Sequence, residues 1–463
     1  MSRWRAFALV AIYALFVVHY VQWKLAGTTV APFELNEAMY TIEEGVITVG
    51  ALFLLAIMVS VLFFGRFFCG WLCHILALQD AASWLLAKVH IRAKPIRSRL
   101  LPLIAIGALL YMFVWPTLLR LLAGDPFPGF RVLSDQQGLG SFTTGDLMRN
   151  LPGPIMTAIT FVVCGGVVVW LLGSRAFCRY VCPYGALFAL VNRVSPASIK
   201  LVGTCNGCGQ CTAACTSHIR VHHEIQVHGK VVTAGCLKDL DCVMSCPQNA
   251  IVWGWSKPSP GKSFDTFLRP SVRWAWTWPE ELLGTAAFFA GFFATRGLYG
   301  EVPFLLALTI GLVVAWAFVT TVRLWRRPNV RVGRWQLRRG GIYGPSAAIW
   351  MMIVTLGAGL LAHSGWIRWH EVRGQAAWQD AMLQPDAEHV SIAAGHLEVV
   401  AWSGLYRPAY ADRMLADLWL RGGRPDLAIP YLERLLHRWP DHGQRQRQLE
   451  AARAALLQRG SSE

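Results

Sequence analysis

The sequence predicts a mainly α-helical chain that crosses a membrane about seven times, carries a small cysteine-rich α+β insertion, and ends in a helical segment outside the membrane. Three observations predict it. Of 463 residues, 54% are hydrophobic and 15% charged, a balance that excludes an ordinary soluble enzyme or a disordered chain. The formal charge of +16 is confined to residues 1–363, because residues 364–463 carry equal numbers of acidic and basic side chains. Positive charge beside apolar runs follows membrane topology, and this placement argues against nucleic acid as a partner. Most of the 12 Cys lie in four short-spaced sets, a ligand pattern and not a disulfide framework.

A span needs about 20 apolar residues, since a rise of about 1.5 Å per residue must cross about 30 Å of hydrocarbon. Six runs reach that length, near 6–26, 45–64, 100–122, 152–172, 302–322 and 344–363. A seventh, near 280–300, is interrupted by Arg296 and is counted because the charge alternation requires it. The first run follows Arg3 and Arg5 and reads as an uncleaved anchor. Basic stretches at Arg3 and Arg5, at 88–99 and at 323–339 alternate with loops holding Glu34, Glu37, Glu43, Glu44, Asp125, Asp135 and Asp146. Cytoplasmic loops collect Lys and Arg. Four parts follow: a membrane domain of four spans over 1–172, a cytoplasmic module over 173–279 with its core at 198–256, three further spans over 280–363, and an exported tail over 364–463 ending at Glu463.

Within the module, CNGCGQCTAACT places Cys205, Cys208, Cys211 and Cys215 at the C-x2-C-x2-C-x3-C spacing of bacterial ferredoxins. Three thiolates on a tight loop, with Gly207 and Gly209 free to take left-handed dihedrals, can cap three irons of one cube. The fourth Cys is expected to open a helix and serve the other cluster. GCLKDLDCVMSCP repeats the register with Cys236, Cys242, Cys246 and Pro247, but Asp239 stands at the second Cys position. Crossed as in two-cluster ferredoxins, Cys205, Cys208, Cys211 and Cys246 would hold a first 4Fe-4S cluster. Cys215, Cys236, Asp239 and Cys242 would hold the second, either 4Fe-4S with a carboxylate corner or 3Fe-4S. A hard oxygen suits this soft site poorly, so the iron there is expected to be labile. Thr216 replaces the usual Pro and is expected to cap a helix start. Four-thiolate zinc sites come as two separated C-x2-C pairs, which disfavours zinc.

Two C-x3-C pairs stand at predicted cytoplasmic span ends: Cys69 and Cys73 in GRFFCGWLCH, Cys178 and Cys182 in SRAFCRYVCPYG. Residues four apart share a helix face, so each pair would present two thiols to one partner. Arg66, Arg175 and Arg179, with partial exposure, are expected to favour thiolates. Either the four sulfurs converge on a further cluster or metal, or each pair works as a dithiol. Paired spans ending in these motifs and followed by a two-cluster segment resemble the NapH/NosR family of membrane polyferredoxins, over roughly residues 45–255. The resemblance implies electron transfer between the quinone pool or cytoplasmic donors and a respiratory reductase or cytochrome. His74 departs from the family pattern, which has Pro after the first pair.

In the tail, LADLWLRGGRPDLAIPYLERLLHRWPDH resembles one tetratricopeptide repeat, with Leu415, Ala416, Trp419, Gly423, Ala428, Leu432 and Pro440 at the repeat's spacings. Residues 376–386 read as the end of an earlier repeat and 444–458 as a capping helix; no other internal repeat is found. The expected function is single-electron transfer in a bacterial inner membrane, with lipid around the spans and a protein docked on the tail. The chain is an electron carrier or quinol-linked oxidoreductase subunit, with no catalytic residue for bond chemistry. Alternative readings are an assembly factor that reduces or hands over a metal for an oxidase or reductase, and a redox or iron sensor.

Overall fold

The computed structural model describes residues 3–31, 33–91, 96, 98–132, 142–147, 153–263, 274–384 and 386–460. Arg92, Lys94 and Arg97 of the basic stretch, Asp135 and Glu463 lie outside the described residues. Contacts divide the chain into two units, Met1–Leu282 and Leu283–Glu463.

Among the described residues, five helices are long and apolar enough to cross a membrane: α1 (Arg3–Ala26) and two others in the first unit, and two in the second. In the first unit α2 (Val49–Phe64) is shorter and is capped by the Thr48 hydroxyl, which accepts from the Ala51 amide at 3.1 Å. A five-residue helix, α3 (Phe67–Trp71), and then α4 (His74–Lys88) follow it. After α5 (Leu101–Ala123) the same order returns as α6 (Pro154–Leu172), the five-residue α7 (Ala176–Tyr180) and α8 (Pro183–Asn192). Gly65 and Gly173 end α2 and α6 at positive φ, 69° and 91°, which glycine adopts without a Cβ penalty. On α1, Leu15, Val17 and Val18 are exposed. Such outward apolar faces are what lipid, not water, would cover.

The insertion combines a two-stranded sheet with short helices. Strand β1 (Ala197–Leu201) pairs antiparallel with β2 (Ile251–Trp255), Ala197 facing Trp255 and Leu201 facing Ile251. Between them run α9 (Gln210–Ala213), α10 (Val221–His228) and α11 (Asp241–Met244). Ile199, Ile219, Val221, Ile225 and Ile251 make a small apolar core with the cysteines packed on it. The buried Glu224 carboxylate accepts from the Val232 and Thr233 amides at 2.8 and 3.1 Å, and so fixes the loop that leads to Cys236.

Next comes α12 (Trp278–Thr295), which stops one residue before Arg296. In the second unit, a Cβ on Gly291 would stand 3.1 Å from the Gly311 Cα, so the two glycines let α12 approach α13 (Phe304–Arg326) closely. The Arg-rich connection after α13 is a three-stranded sheet: β3 (Val330–Val332), β4 (Trp335–Arg339) and β5 (Ile342–Tyr343). Arg338 donates to the Leu324 and Trp325 carbonyls at 3.0 Å each, satisfying the end of α13.

Helix α14 (Pro345–Leu383) has 39 residues. That is about 58 Å, roughly twice the hydrocarbon thickness. The boundary placed at 363 therefore falls inside one continuous helix, which also holds residues 376–383. Its first half exposes Ile349, Met352, Leu356 and Leu360, whereas its second half buries Ile367 and Ala381 in a core shared with α15 (Ala387–Ser403). Two amphipathic helices, α16 (Ala409–Arg421) and α17 (Pro425–Arg438), form a hairpin that buries Leu415, Ala416, Ala428 and Leu432 completely. Gly423, at φ 69°, and Pro425, at the first turn of α17, make that corner. α18 (Gly443–Gly460) packs on α17 and closes the unit.

Candidate metal centres

The first cysteine set is brought together. Cys205, Cys208, Cys211 and Cys246 line one pocket, with Gly209, Ile225 and Ile251 among its walls. Gly207 and Gly209 take φ of 72° and 77°, the left-handed turns the spacing requires. Cys208 is exposed and Cys211 buried.

The second loop copies this backbone without glycine. Lys238 and Leu240, the positions equivalent to Gly207 and Gly209, have φ of 55° and 62°. Each costs about 1–2 kcal/mol for an L-residue. The four-residue helices α9 and α11 follow the two loops at the same distance. Asp239 thus occupies in the second loop the backbone position that Cys208 occupies in the first. Cys236, Asp239 and Cys242 are buried and Cys215 is half-buried. Burial pushes the Cys215 thiol up to about 12, with Asp239 and Cys236 adding to the effect and an amide of Ile219 opposing it. Burial likewise raises Cys242, helped by Cys236, Asp239 and Cys215. Cys236 and Cys242 belong to the same apolar core, and Cys215 packs against it.

Two details differ from the expectation. Cys215 closes the turn after α9 instead of opening a helix, since the next helix starts at Val221. Thr216 caps nothing: its hydroxyl donates to Asp239 Oδ2 at 2.6 Å and accepts from Arg175 Nε at 3.1 Å.

The membrane pairs also differ in their local structure. Cys69 lies in α3 but Cys73 is the N-cap of α4, and Cys178 lies in α7 but Cys182 is the N-cap of α8. A helix break separates the members of each pair, so they do not share one helical face. The thiols nevertheless influence one another. Burial and then the neighbouring Cys69 push Cys178 up to about 11, and burial and then Cys178 push Cys182 up to about 12. Cys73 is raised by burial and by Cys178, Cys69 and Cys182. Thiolates favoured by exposure, the expectation from sequence, are thereby overturned: Cys69 and Cys178 are each 6% exposed. Gln79 Nε2 donates to Cys178 Sγ at 3.0 Å, the Gly185 amide donates to Cys182 Sγ at 3.3 Å, and α4 and α8 direct their positive ends at Cys73 and Cys182.

Among the described residues, no three His, Cys, Asp or Glu side chains close around the position of a single metal ion. One tetrahedral ion needs its sulfurs about 2.3 Å from a common point; a four-iron cube holds its thiolates further apart. The donor sets, soft and sulfur-rich, fit iron-sulfur clusters.

The membrane pairs and the module touch. A Cβ on Gly70 would collide with the Leu237 carbonyl oxygen and lie 3.3 Å from the Asp239 amide, and Trp71 Nε1 donates to the Lys238 carbonyl at 3.0 Å. A buried ion network ties the same parts together: Asp80 pairs with Arg5 at 2.6 Å and Arg175 at 2.5 Å, and Arg5 pairs with Asp241 at 2.6 Å.

A family profile described as a 4Fe-4S binding domain matches residues 46–92 and 155–201. Escherichia coli K12 has a relative named putative electron transport protein YccM, 29% identical over 46% of this chain and 57% of its own length. A methylamine utilization ferredoxin-type protein, MauN of Methylobacillus flagellatus, is 27% identical over 33% of this chain and 49% of its own length. The ferredoxin-type protein NapH of Haemophilus influenzae is 25% identical over 42% and 63%. Over these segments the chain is similar to NapH-type membrane ferredoxins.

The match spans about half the length of the first relatives, and no solved structure matches the chain. The two profile segments are equal in length and align Arg66 with Arg175, Cys69 with Cys178 and Cys73 with Cys182. An internal repeat therefore exists where none was found in the sequence, and the recurring short helices are its structural form. Arg66, Gln79 and Asp80 are the site residues whose packing roles the sequence does not reveal; the repeated Arg three residues before each pair was the available signal.

Proposed function

We propose that this membrane ferredoxin carries single electrons at the bacterial cytoplasmic membrane, between a quinol or cytoplasmic donor and a redox partner such as a respiratory reductase or cytochrome. Cys205, Cys208, Cys211 and Cys246 hold one 4Fe-4S cluster; Cys215, Cys236, Asp239 and Cys242 hold the second, 4Fe-4S or 3Fe-4S. Cys69, Cys73, Cys178 and Cys182 form a further redox site. Bound clusters supply one-electron chemistry at potentials tuned by ligands, burial and hydrogen bonds to sulfur. The residues supply soft ligands, a dry apolar wall around Ile199 and Ile225, and N–H donors to sulfur.

The observation that carries this reading is the contact of Gly70 with Leu237, which sets the backbone beside Cys69 against the backbone beside Cys236. The five long apolar helices, with α2 and α12, support seven crossings. With basic loops inside, the module at 173–279 faces the cytoplasm and the tail after 363 is exported. The hairpin of α16 and α17, with Ala416 and Ala428 fully buried at repeat positions, supports a tetratricopeptide-like tail that docks a protein.

The test uses the full-length chain in lipid nanodiscs without oxygen, reduced by a membrane quinol. Cys69→Ser combined with Cys178→Ser should stop reduction of the module while dithionite still develops both module signals in electron paramagnetic resonance. Unchanged quinol-linked reduction in that variant rejects the membrane route. Reporter fusions after residue 220 and at the C-terminus test sidedness.

A further inference from the structure

Arg66 is a buried cation of the membrane half that forms no ion pair with a carboxylate among the described residues. Its side chain is 1% exposed, Nη2 donates to the Cys178 carbonyl at 3.4 Å, and Nε has no hydrogen-bond partner. Its repeat equivalent, Arg175, is equally buried but pairs with Asp80; Asp80 also pairs with Arg5, and Arg5 with Asp241. Those two cations and two carboxylates balance. Arg66 stands outside that network, and among the described residues no carboxylate forms an ion pair with it. A buried charge is tolerated where an opposite charge lies beside it. What lies beside Arg66 is the second thiol pair, through the Cys178 carbonyl that its Nη2 reaches and the Gly185 backbone that follows Cys182. Gly185 leaves the room for it, since a Cβ there would stand 3.2 Å from Nη2. Neutral thiols and disulfides leave the guanidinium uncompensated. Thiolates around an iron-sulfur core are anionic in both oxidation states.

We infer that Arg66 is the counter-charge of an anionic iron-sulfur centre ligated by Cys69, Cys73, Cys178 and Cys182, a positioning residue that holds the centre and sets its potential. The inference rests on the four-thiol site proposed above and selects a cluster over paired dithiols. Uptake of an electron makes such a centre more negative, so the guanidinium favours the reduced form and its loss shifts the midpoint to lower potential.

The test reads iron content and redox-titrated electron paramagnetic resonance of the full-length chain purified without oxygen. The unsubstituted protein should hold more iron than Cys69→Ser/Cys178→Ser. Arg66→Gln should lower the midpoint of that additional centre or empty it, with module signals unchanged, and Arg66→Lys should keep it. In the Cys69→Ser/Cys178→Ser background the sign reverses: Arg66→Met should raise the thermal midpoint, because the cation there lacks its counter-charge. Equal iron with and without the two Ser substitutions overturns the four-thiol site and this inference with it. An additional centre whose occupancy and midpoint ignore Arg66→Gln overturns the inference alone. If Arg66→Gln does not accumulate, a lower thermal midpoint for Arg66→Met in the Ser background overturns it instead.

Discussion

Thr216 donates its hydroxyl hydrogen to Asp239 Oδ2 at 2.6 Å, so the two positions at which the cysteine runs depart from ferredoxin spacing are in contact. One departure orients the other. The same hydroxyl accepts from Arg175, which links the Asp239 corner to the membrane half through a single side chain.

Replacing Asp239 with Cys should convert the second centre to a stable 4Fe-4S cluster, because a thiolate binds the exchangeable iron more tightly than a carboxylate. Thr216→Val should make the iron at that corner more labile by releasing the carboxylate. Electron paramagnetic resonance before and after brief oxidation distinguishes the 3Fe and 4Fe forms. An unchanged cluster type in Asp239→Cys removes Asp239 from the ligand set.

Gly70→Val should separate the module from α3, since the new side chain meets the Leu237 carbonyl. Overpacking of this kind costs about 1–3 kcal/mol. The expected result is slower quinol-linked reduction of the module with its iron content intact. A variant that transfers electrons at the normal rate shows that the Gly70 contact does not matter to the route.

Asp80→Asn should leave the buried Arg5 and Arg175 short of a partner, a loss of about 3–5 kcal/mol for a broken buried pair. Chemical denaturation of the purified chain measures it. A change below about 1 kcal/mol would place this network in the class of exposed pairs.

In the metal-free protein the Cys215 thiol, pushed up to about 12 by burial, should alkylate slowly at neutral pH while the exposed Cys208 is labelled first. The folded state holds that proton more tightly than the unfolded chain, whose thiols titrate near about 8.5. Stability from this group is therefore full below about 8.5 and is lost as pH rises toward about 12. Mass spectrometry of iodoacetamide-treated apoprotein gives the order of labelling. Equal rates at pH 7 contradict the burial of Cys215.

Hydrophobic length was enough to mark α1, α5, α6, α13 and the first half of α14, because a helix in lipid must satisfy its backbone locally and the signal is contiguous. Cysteine spacing was enough to bring Cys205, Cys208 and Cys211 into one loop, since Gly207 and Gly209 set that turn within a few residues. Local pattern also placed Ala416 and Ala428 at the crossing of a helical hairpin. Contacts between distant residues were not legible in this way. Burial by packing, and not the neighbouring Arg residues, decides the state of Cys178 and Cys182. Backbone strain at Lys238 and Leu240 presents Asp239 in the place of a cysteine, although neither residue type announces a left-handed turn. The unequal fates of Arg66 and Arg175, identical in the repeat, depend on Asp80, which α4 carries to one of them and not the other. Periodicity and spacing report what a segment does within its own turn or loop; which side chain meets which cysteine is set by groups that the folded chain brings together from about a hundred residues apart.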